Sequence, residues 1–513
     1  MSGPTLPASS TTEPGRRSKN SPDSLNSPNS PASSNSPDSP DGPARSGPRA
    51  GLVLATACLC QLVVTLDASI VNIALPAMGH SLGFADSALP WVVNAYALAF
   101  GGLLLLGGRV ADLVGHRRSL LAGLAVFGLA SVLGGFAQTP AQLIAARAGQ
   151  GVAAALLAPI SLTLIMVTFA EGAARARALG VWSMVTAAGS ALGVLLGGVL
   201  TDLLDWRWVF FVNLPLVLVG GALALRSVAT GRPARTGRLD VVGAVLGTGA
   251  MCALVYGLME TDRHPWTSTR TLATLGAAVL LGIVFLAWEA RFASAPIVRL
   301  GVLRARTAWA ASVIVTLIGA AMLVGFYFCS LHLQNVLHYG PLAAGAAFLP
   351  FCAGVMAGSM AAGRIGARFG ARATLTGGLL LAGLGMLWFG GLGVDSGYLT
   401  AFVGPSVVTS TGVGICMVAN TAMGTSGVAR HEAGLVSGLL NAGRQCGGSI
   451  GLAVLSSLAV AATRSAVREG REPLEALAAG YDRAFVLTAV LLAVAALIAV
   501  LFVPGPAPKP APR

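Results

Sequence analysis

Long apolar runs separated by short polar segments make up the chain from residue 51 onward. The runs lie at about 51–75, 90–110, 119–137, 141–169, 177–201, 207–227, 239–259, 271–290, 308–331, 341–363, 373–394, 398–422, 434–462 and 482–503. A helix crosses the hydrocarbon core of a bilayer in roughly 20 residues. The pattern therefore predicts an all-α polytopic membrane protein with fourteen transmembrane helices.

The composition agrees with this pattern. Hydrophobic residues make up 55% of the chain and charged residues only 10%, and the mean hydropathy is +0.75. A soluble domain is about a quarter charged. The seven cysteines lie almost entirely in apolar runs and lack the spacing of a metal site, so we interpret them as packing residues. The sequence predicts no metal and no cofactor.

The distribution of Lys and Arg predicts the orientation. If the N-terminus is inside, 24 basic residues fall on inner loops and tails and seven on outer loops. This asymmetry follows the positive-inside rule, with both termini cytoplasmic. It accounts for the net charge of +13 without a nucleic-acid partner. The Ser-, Pro- and Asn-rich residues 1–49 predict a disordered cytoplasmic tail, and residues 505–513 a second tail.

An internal repeat divides the chain into related halves. Residues 108–117 follow the second predicted span, and the similar residues 363–372 follow the tenth, 255 positions later. Both are short, Gly-containing, Arg-bearing loops, and repeated halves are typical of transporters built from two bundles. The repeat predicts a six-helix bundle over 50–228 and another over 307–504. The linker 229–306 would carry two inserted helices.

Asp67 and Arg147 lie deep inside apolar runs, where a charge costs several kcal/mol unless it is compensated. Asp67 lies about 12 Å from the outer end of the first span, and Arg147 about 9 Å from that of the fourth, at the helical rise per residue. Their depths allow them to meet. A carboxylate that alternates between pairing with Arg and binding a proton would couple protons to transport. The alternative is a permanent ion pair that only joins two helices.

Five stretches resemble motifs of the major facilitator superfamily, and within it of the fourteen-span drug:proton antiporter family. Residues 66–76 are similar to the family's first-span pattern, and 147–151 to its fourth-span motif. Residues 189–198 resemble its fifth-span antiporter motif, with Val194 in place of a proline. Residues 108–117 resemble its loop signature, with Leu113 and His116 replacing basic positions. The stretch 206–215 is similar to the family's entry to span 6.

The resemblance implies a role for each motif. It implies proton coupling for Asp67 and Arg147. The residues of the implied gating loop are Gly108, Asp112, Gly115 and Arg117. The implied antiporter helix carries Gly189, Gly193, Gly197 and Gly198. Other polar residues inside spans are candidates for a substrate cavity, namely Asn72, Asn94, Tyr96, Gln150, Gln334, Asn335, Asn441 and Arg444. We interpret His332 and His338, at the outer end of span 9, as interfacial residues.

The resemblance further implies a proton-coupled antiporter that exports small amphipathic drugs or antibiotics by alternating access. Such a protein is not an enzyme and is driven by the proton gradient. Its expected partners are a small-molecule substrate, protons and the lipid bilayer, and it would work as a monomer in the cytoplasmic membrane. Two alternatives stay open: a transporter of the same fold for a peptide, siderophore or other metabolite, and a membrane sensor that transports nothing.

Overall fold

The computed structural model describes residues 48–85, 88–169, 173–229, 240–262, 264, 266–293, 306–391, 402–425 and 433–503. Helices joined by short loops make up these ranges, which contain no strand. Almost all of the predicted N-terminal tail, the whole C-terminal tail 505–513 and much of the linker between the halves lie outside them. The helix α1 begins at Pro48, inside the predicted tail.

The helices follow one another along the chain as fifteen α-helical elements within the described residues. They are α1 (Pro48–Leu82), α2 (Trp91–Val114), α3 (His116–Gly135), α4 (Pro140–Thr168), α5 (Ala173–Leu203), α6 (Trp208–Phe211), α7 (Asn213–Ser227), α8 (Val241–Met259), α9 (Thr269–Arg291), α10 (Arg306–Leu331), α11 (Pro341–Ala347), α12 (Leu349–Phe389), α13 (Gly404–Thr425), α14 (Ala433–Arg468) and α15 (Pro473–Phe502). A 3-10 turn, Glu260–Asp262, follows α8, and a π-helical turn, His332–Val336, follows α10.

Side chains that accept hydrogen bonds from exposed N–H groups mark several helix starts. The hydroxyl of Thr139 accepts from the backbone N–H of Gln142 at 3.3 Å, and Pro140 begins α4. Asp240 caps α8 in the same way at 2.8 Å. These are the residue types that favour helix N-termini. They explain why the helices begin within a few residues of the predicted spans.

Thirteen helical segments in the described ranges are long and apolar enough to cross a membrane, which confirms the all-α polytopic fold. The difference from the predicted fourteen arises at one place. The two predicted spans 341–363 and 373–394 fall within a single helical run, Pro341–Phe389. The number of crossings, fourteen, stays a prediction.

That long run folds back at Gly370. Its φ of 80° and ψ of 164° lie in a region that almost only glycine adopts. Before this point the backbone at Gly354 lies against Ser410 of α13, and after it the backbone at Gly385 lies against Thr409. In a straight helix these glycines would be about 45 Å apart. The two parts of α12 therefore run side by side along α13.

The equivalent glycine of the first repeat makes a similar turn. Gly115 has a φ of 99° and a ψ of 136°, and it separates α2 from α3. Gly115 and Gly370 occupy matching positions in the two copies of the loop motif. The repeated loop thus reverses the chain at the same residue in each half.

Helix neighbours fall into two groups. In the first, α1 contacts α2, α4, α5 and α7, and α4 contacts α2 and α3. In the second, α10 contacts α13, α14 and α15, and α12 contacts α13 and α15. The groups meet where α2 packs on α14, α5 on α11, and α1 on α10. The exact bounds of the two bundles, 50–228 and 307–504, stay predictions.

The inserted helices α8 and α9 pair with each other, and α8 lies against both groups. On the first group, Asn94 of α2 donates to the sulfur of Met259 at 3.6 Å. On the second, the hydroxyls of Thr261, just after α8, and Ser457 of α14 are 2.9 Å apart. The α8 helix therefore covers the boundary along which α2 packs on α14.

Candidate functional site

An ion pair joins α1 to α4 inside the first helix group. Nη1 of Arg147 donates to Oδ2 of Asp67 at 2.6 Å. The side chains of Asp67 and Arg147 are 0% and 1% exposed. The structure thus brings together the two residues whose depths in their spans allow them to meet. Their role in proton coupling stays a prediction.

Two amides complete the shell of the carboxylate. Oδ1 of Asp67 accepts from Nε2 of Gln150 at 2.8 Å and from Nδ2 of Asn213 at 2.9 Å. The hydroxyl of Ser131 accepts from the same two amide groups, at 2.9 Å from Gln150 and 3.4 Å from Asn213. All of these side chains are fully buried. Both carboxylate oxygens are therefore hydrogen-bonded without solvent.

The guanidinium of Arg147 has partners besides Asp67. Its Nε donates to the carbonyl oxygen of Val92 at 3.0 Å, and Nη1 also donates to Oε1 of Gln150 at 2.7 Å. The ring of Tyr96 lies below it, with Cζ 4.5 Å from the ring centroid. A buried guanidinium gains from both carbonyl and aromatic contacts. These contacts would still hold Arg147 if the carboxylate became neutral.

The site is a neutral pair in an apolar surrounding, built by α1, α2, α3, α4 and α7. Removing one charge of such a pair leaves the other uncompensated, at a cost of about 3–5 kcal/mol. Asp67 and Arg147 therefore stabilise each other, because either charge alone would be costly in this surrounding.

Local structure explains how the two charges reach one level. Arg147 lies seven residues into α4, which begins at Pro140 after its Thr139 cap. The predicted end of the first span, however, is not a helix end, because α1 continues past Pro76 to Leu82. Asp67 therefore lies further from the end of α1 than the apolar run predicts.

The glycines of the predicted antiporter helix hold α5 close to α1 on both sides of Asp67. A Cβ added at Gly193 would lie 2.7 Å from the carbonyl oxygen of Leu66, and one at Gly197 would lie 2.6 Å from that of Ile70. Gly189 faces Thr65 in the same way. A row of small residues lets transmembrane helices approach this closely.

Gly198 lies on another side of α5 and faces the second helix group. A Cβ there would meet the carbonyl oxygen of Pro341 at 2.5 Å. Across the same contact, a Cβ at Gly345 of α11 would lie 2.8 Å from the carbonyl oxygen of Val194. The predicted antiporter helix therefore packs on α1 and on α11 together.

A second contact between the groups lies one to two turns beyond Asp67 on α1. The hydroxyl of Ser330 donates to the carbonyl oxygen of Asn72 at 2.8 Å, and Nε2 of Gln334 donates to that of Ile73 at 3.0 Å. Two predicted cavity residues, Asn72 and Gln334, thus lie where α1 packs on α10. The helix that carries the buried carboxylate also contacts the other half.

The remaining predicted cavity residues do not form one cluster. Tyr96 and Gln150 belong to the Asp67 site, whereas Asn94 lies against α8. Asn335 donates to the hydroxyl of Tyr481 at 3.4 Å. On α14, Nη2 of Arg444 donates to Oδ1 of Asn441 at 2.7 Å. The eight residues therefore lie in several distinct places.

The predicted gating loop is local in its contacts. Asp112 and His116 are 3.7 Å apart within one helical turn, and both are at least one-third exposed. Gly115 supplies the turn described above, Gly108 faces the ring of Pro159, and Arg117 is half-buried. No described cation of the second group forms an ion pair with Asp112. The gating role stays a prediction.

Sequence reasoning missed two members of the site and misplaced one histidine. Ser131 is one small residue among many in α3. Asn213 lies in the stretch 206–215 that resembles the family's entry to span 6, but the sequence analysis gave it no role. His332 was interpreted as interfacial, but it is 1% exposed and packs beside Tyr481. The described residues hold no group of three or more potential metal ligands. The absence of a bound metal stays a prediction.

Comparison with known sequences identifies close relatives. The sequence model of the Major Facilitator Superfamily matches residues 57–452. The chain is 40% identical over 456 residues to the cephamycin export protein CmcT of Amycolatopsis lactamdurans, covering 88% of this chain and 92% of that protein. It is 39% identical over 459 residues to the puromycin resistance protein pur8 of Streptomyces alboniger, covering 88% and 90%.

Solved structures share the fold at low sequence identity. A bacterial homolog of the human lysosomal transporter Spinster, in an inward-facing and unoccupied conformation, matches with a TM-score of 0.62 at 18% identity, covering 89% of this chain and 97% of that one. The POT family transporter PepTSo matches with a TM-score of 0.63 at 13% identity, covering 88% and 98%. At these identities the likeness concerns the fold alone.

Proposed function

The chain belongs to the Major Facilitator Superfamily, and from this premise we propose that it is a proton-coupled antiporter that exports small amphipathic drugs or antibiotics. Membership makes it a multi-pass membrane transporter. The finer proposal adds the driving force, the exchange of a proton for a substrate, and the direction. It also places the protein in the cytoplasmic membrane with both termini inside, as the distribution of basic residues predicts.

The observation that carries the proposal is the fully buried Asp67 carboxylate with three donors around it. In this arrangement the negative charge is well stabilised only while Arg147 and the two amides point at it. A proton that enters and binds Asp67 removes the partner charge of Arg147. The positive charge that results in the apolar core costs several kcal/mol. That cost favours a rearrangement of the helices, which is what coupling requires.

The position of Asp67 on α1 supports coupling to the opening between the halves. Asn72 and Ile73, whose carbonyls meet α10, lie five and six residues further along the same helix. This is about 8 Å along the helix axis. On its other side α1 packs on the glycine row of α5, which also contacts α11. A shift of α1 on protonation would therefore act directly on two contacts between the halves.

The names of the relatives support export of antibiotics. Two proteins that align with most of the chain are named for export of cephamycin and for resistance to puromycin, and others are named for tetracenomycin C and lincomycin. We propose the same class of cargo here. Alternating access would carry the compound outward in exchange for protons that move inward, without ATP.

The test uses Asp67→Asn, which keeps the size of the side chain and removes its charge. We expect the variant to insert normally and to lose efflux of puromycin driven by a pH gradient in inverted membrane vesicles. Asp202→Asn makes the same change at an exposed position near the end of α5 and should transport normally. If Asp67→Asn retains ionophore-sensitive efflux at the wild-type rate, the coupling role is wrong.

A further inference from the structure

A third charged side chain lies deep within a membrane helix, and it is not part of the Asp67 site. Arg444 is eleven residues from the start of α14 at Ala433, or about 16 Å along the axis. Its side chain is half-buried, and Nη2 donates to Oδ1 of Asn441 at 2.7 Å. A guanidinium at this depth is costly and needs compensation.

The packing of α14 shows where Arg444 lies. One face meets α2, because a Cβ added at Gly101 would lie 2.8 Å from Cβ of Gln445. Another face meets α10, because Gly447 lies against Thr316. Arg444 lies at the edge of the α10 face, because a Cβ added at Gly319 of α10 would meet its carbonyl oxygen. At about 100° per residue, its partner Asn441 lies one turn before it, on the side of α14 between α2 and α10, which belong to different halves.

The balance of charges leaves Arg444 uncompensated. Asp67 and Arg147 neutralise each other. The partner of Arg444 is a neutral amide, and no carboxylate of the described residues lies within ion-pair distance of it. Burial of a charge without a counter-ion is among the most expensive arrangements in a protein. The half-buried guanidinium would therefore be stabilised by an anion that binds in the space between the halves.

We propose that Arg444 and Asn441 bind an anionic group, specifically a carboxylate, of those exported compounds that carry one. This inference rests on the proposed transport function and adds to it the substrate class. Arg presents several N–H donors in a plane that matches a carboxylate. Because Oδ1 of Asn441 already accepts from Arg444, its Nδ2 group is left as a further donor. The two side chains together form a donor set suited to one anionic head.

The test measures binding, so that it does not depend on transport. Purified protein in phosphatidylcholine nanodiscs is titrated with cefoxitin, which carries a carboxylate, and with cefoxitin methyl ester, which lacks the charge. We expect the wild type to bind the carboxylate more tightly than the ester. Arg444→Gln should weaken carboxylate binding roughly ten- to a hundred-fold, the usual worth of a hydrogen-bonded charge, and leave ester binding unchanged. Arg444→Lys should retain an intermediate preference.

The control is Arg468→Gln, the same change in the exposed last turn of α14, which should alter neither affinity. Equal binding of the two probes by the wild type, no measurable binding of the carboxylate, or equal loss of both in Arg444→Gln overturns the proposal. A structural role for Arg444 predicts the last result. If cefoxitin binds selectively but does not move in a pH gradient, the proposed transport function is wrong, whereas the carboxylate-binding site at Arg444 stands.

A lipid phosphate is also an anion that Arg444 could bind, so a second titration distinguishes a lipid headgroup from the exported compound. The titration is repeated in nanodiscs that contain phosphatidylglycerol. If the substrate carboxylate is the ligand, its affinity should change little. If phosphatidylglycerol displaces cefoxitin from the wild type and Arg444→Gln removes that competition, the anion held at Arg444 is a lipid headgroup, and the assignment to the exported compound is wrong.

Discussion

Replacing Asn213 tests whether the shell of Asp67 sets the pH at which the protein works. Nδ2 of Asn213 donates to Oδ1 of Asp67 at 2.9 Å, and its own Oδ1 meets no partner in the described residues. The substitution Asn213→Ala therefore removes one of three donors to the carboxylate and, besides it, the longer bond of 3.4 Å to the hydroxyl of Ser131. The ion pair with Arg147 and the bond from Gln150 remain.

The size of the effect follows from that single bond. A hydrogen bond to a charged group is worth about 1.5–3 kcal/mol. Because this donor stabilises the ionised carboxylate and not the protonated one, its loss makes protonation easier. At 1.36 kcal/mol for each pH unit, the pH of half-maximal proton-driven transport should rise by about one to two units.

The assay is the initial rate of puromycin transport in proteoliposomes at a fixed pH difference, measured over a series of absolute pH values. Asn420→Ala is the control, because Asn420 is buried, donates to the carbonyl oxygen of Ala311 at 3.0 Å and has an unpartnered Oδ1. It loses a similar bond, but to a neutral group. An unchanged or lowered midpoint for Asn213→Ala, or an equal shift in the control, refutes the reasoning.

Two further predictions concern packing. Gly193→Val should lower both the thermal unfolding midpoint and the transport rate, because any Cβ there meets the carbonyl oxygen of Leu66 at 2.7 Å. Gly180→Val on the same helix enters open space and should be tolerated. Equal stability of the two variants would contradict this prediction. His332→Leu should leave the midpoint unchanged or raise it, because neither ring nitrogen has a partner in the described residues. A decrease of more than about 2 kcal/mol in the free energy of unfolding would show that the imidazole forms a hydrogen bond in the folded protein.

Much of the architecture could be predicted from the sequence because lipid imposes simple rules. Apolar length identified most helices, and the costs of buried charge singled out Asp67 and Arg147. Their depths allowed the pairing, which also requires α1 and α4 to be neighbours. The sequence analysis placed a loop at 363–372 between two spans, and the structure turns the chain within it, at Gly370.

The composition of the site was harder to predict because its amide and hydroxyl members carry no charge. Ser131 and Asn213 are recognisable only when three helices are brought together around Asp67. Polarity inside a span identified candidates such as Asn94, but it could not say which helix each one faces. The helix neighbours decide that, and they depend on packing between residues far apart in sequence.

The cover that α8 forms over the α2–α14 boundary bears on how a fat-soluble compound reaches the protein. Such a compound partitions into the bilayer before it meets a transporter, and it can enter sideways only where lipid touches a seam between the halves. Asn94, Met259, Thr261 and Ser457 tie α8 across one seam. The opposite seam is closed in this structure by the glycine contacts between α5 and α11. We expect lateral entry there when the halves separate, because α8 lies over the other seam.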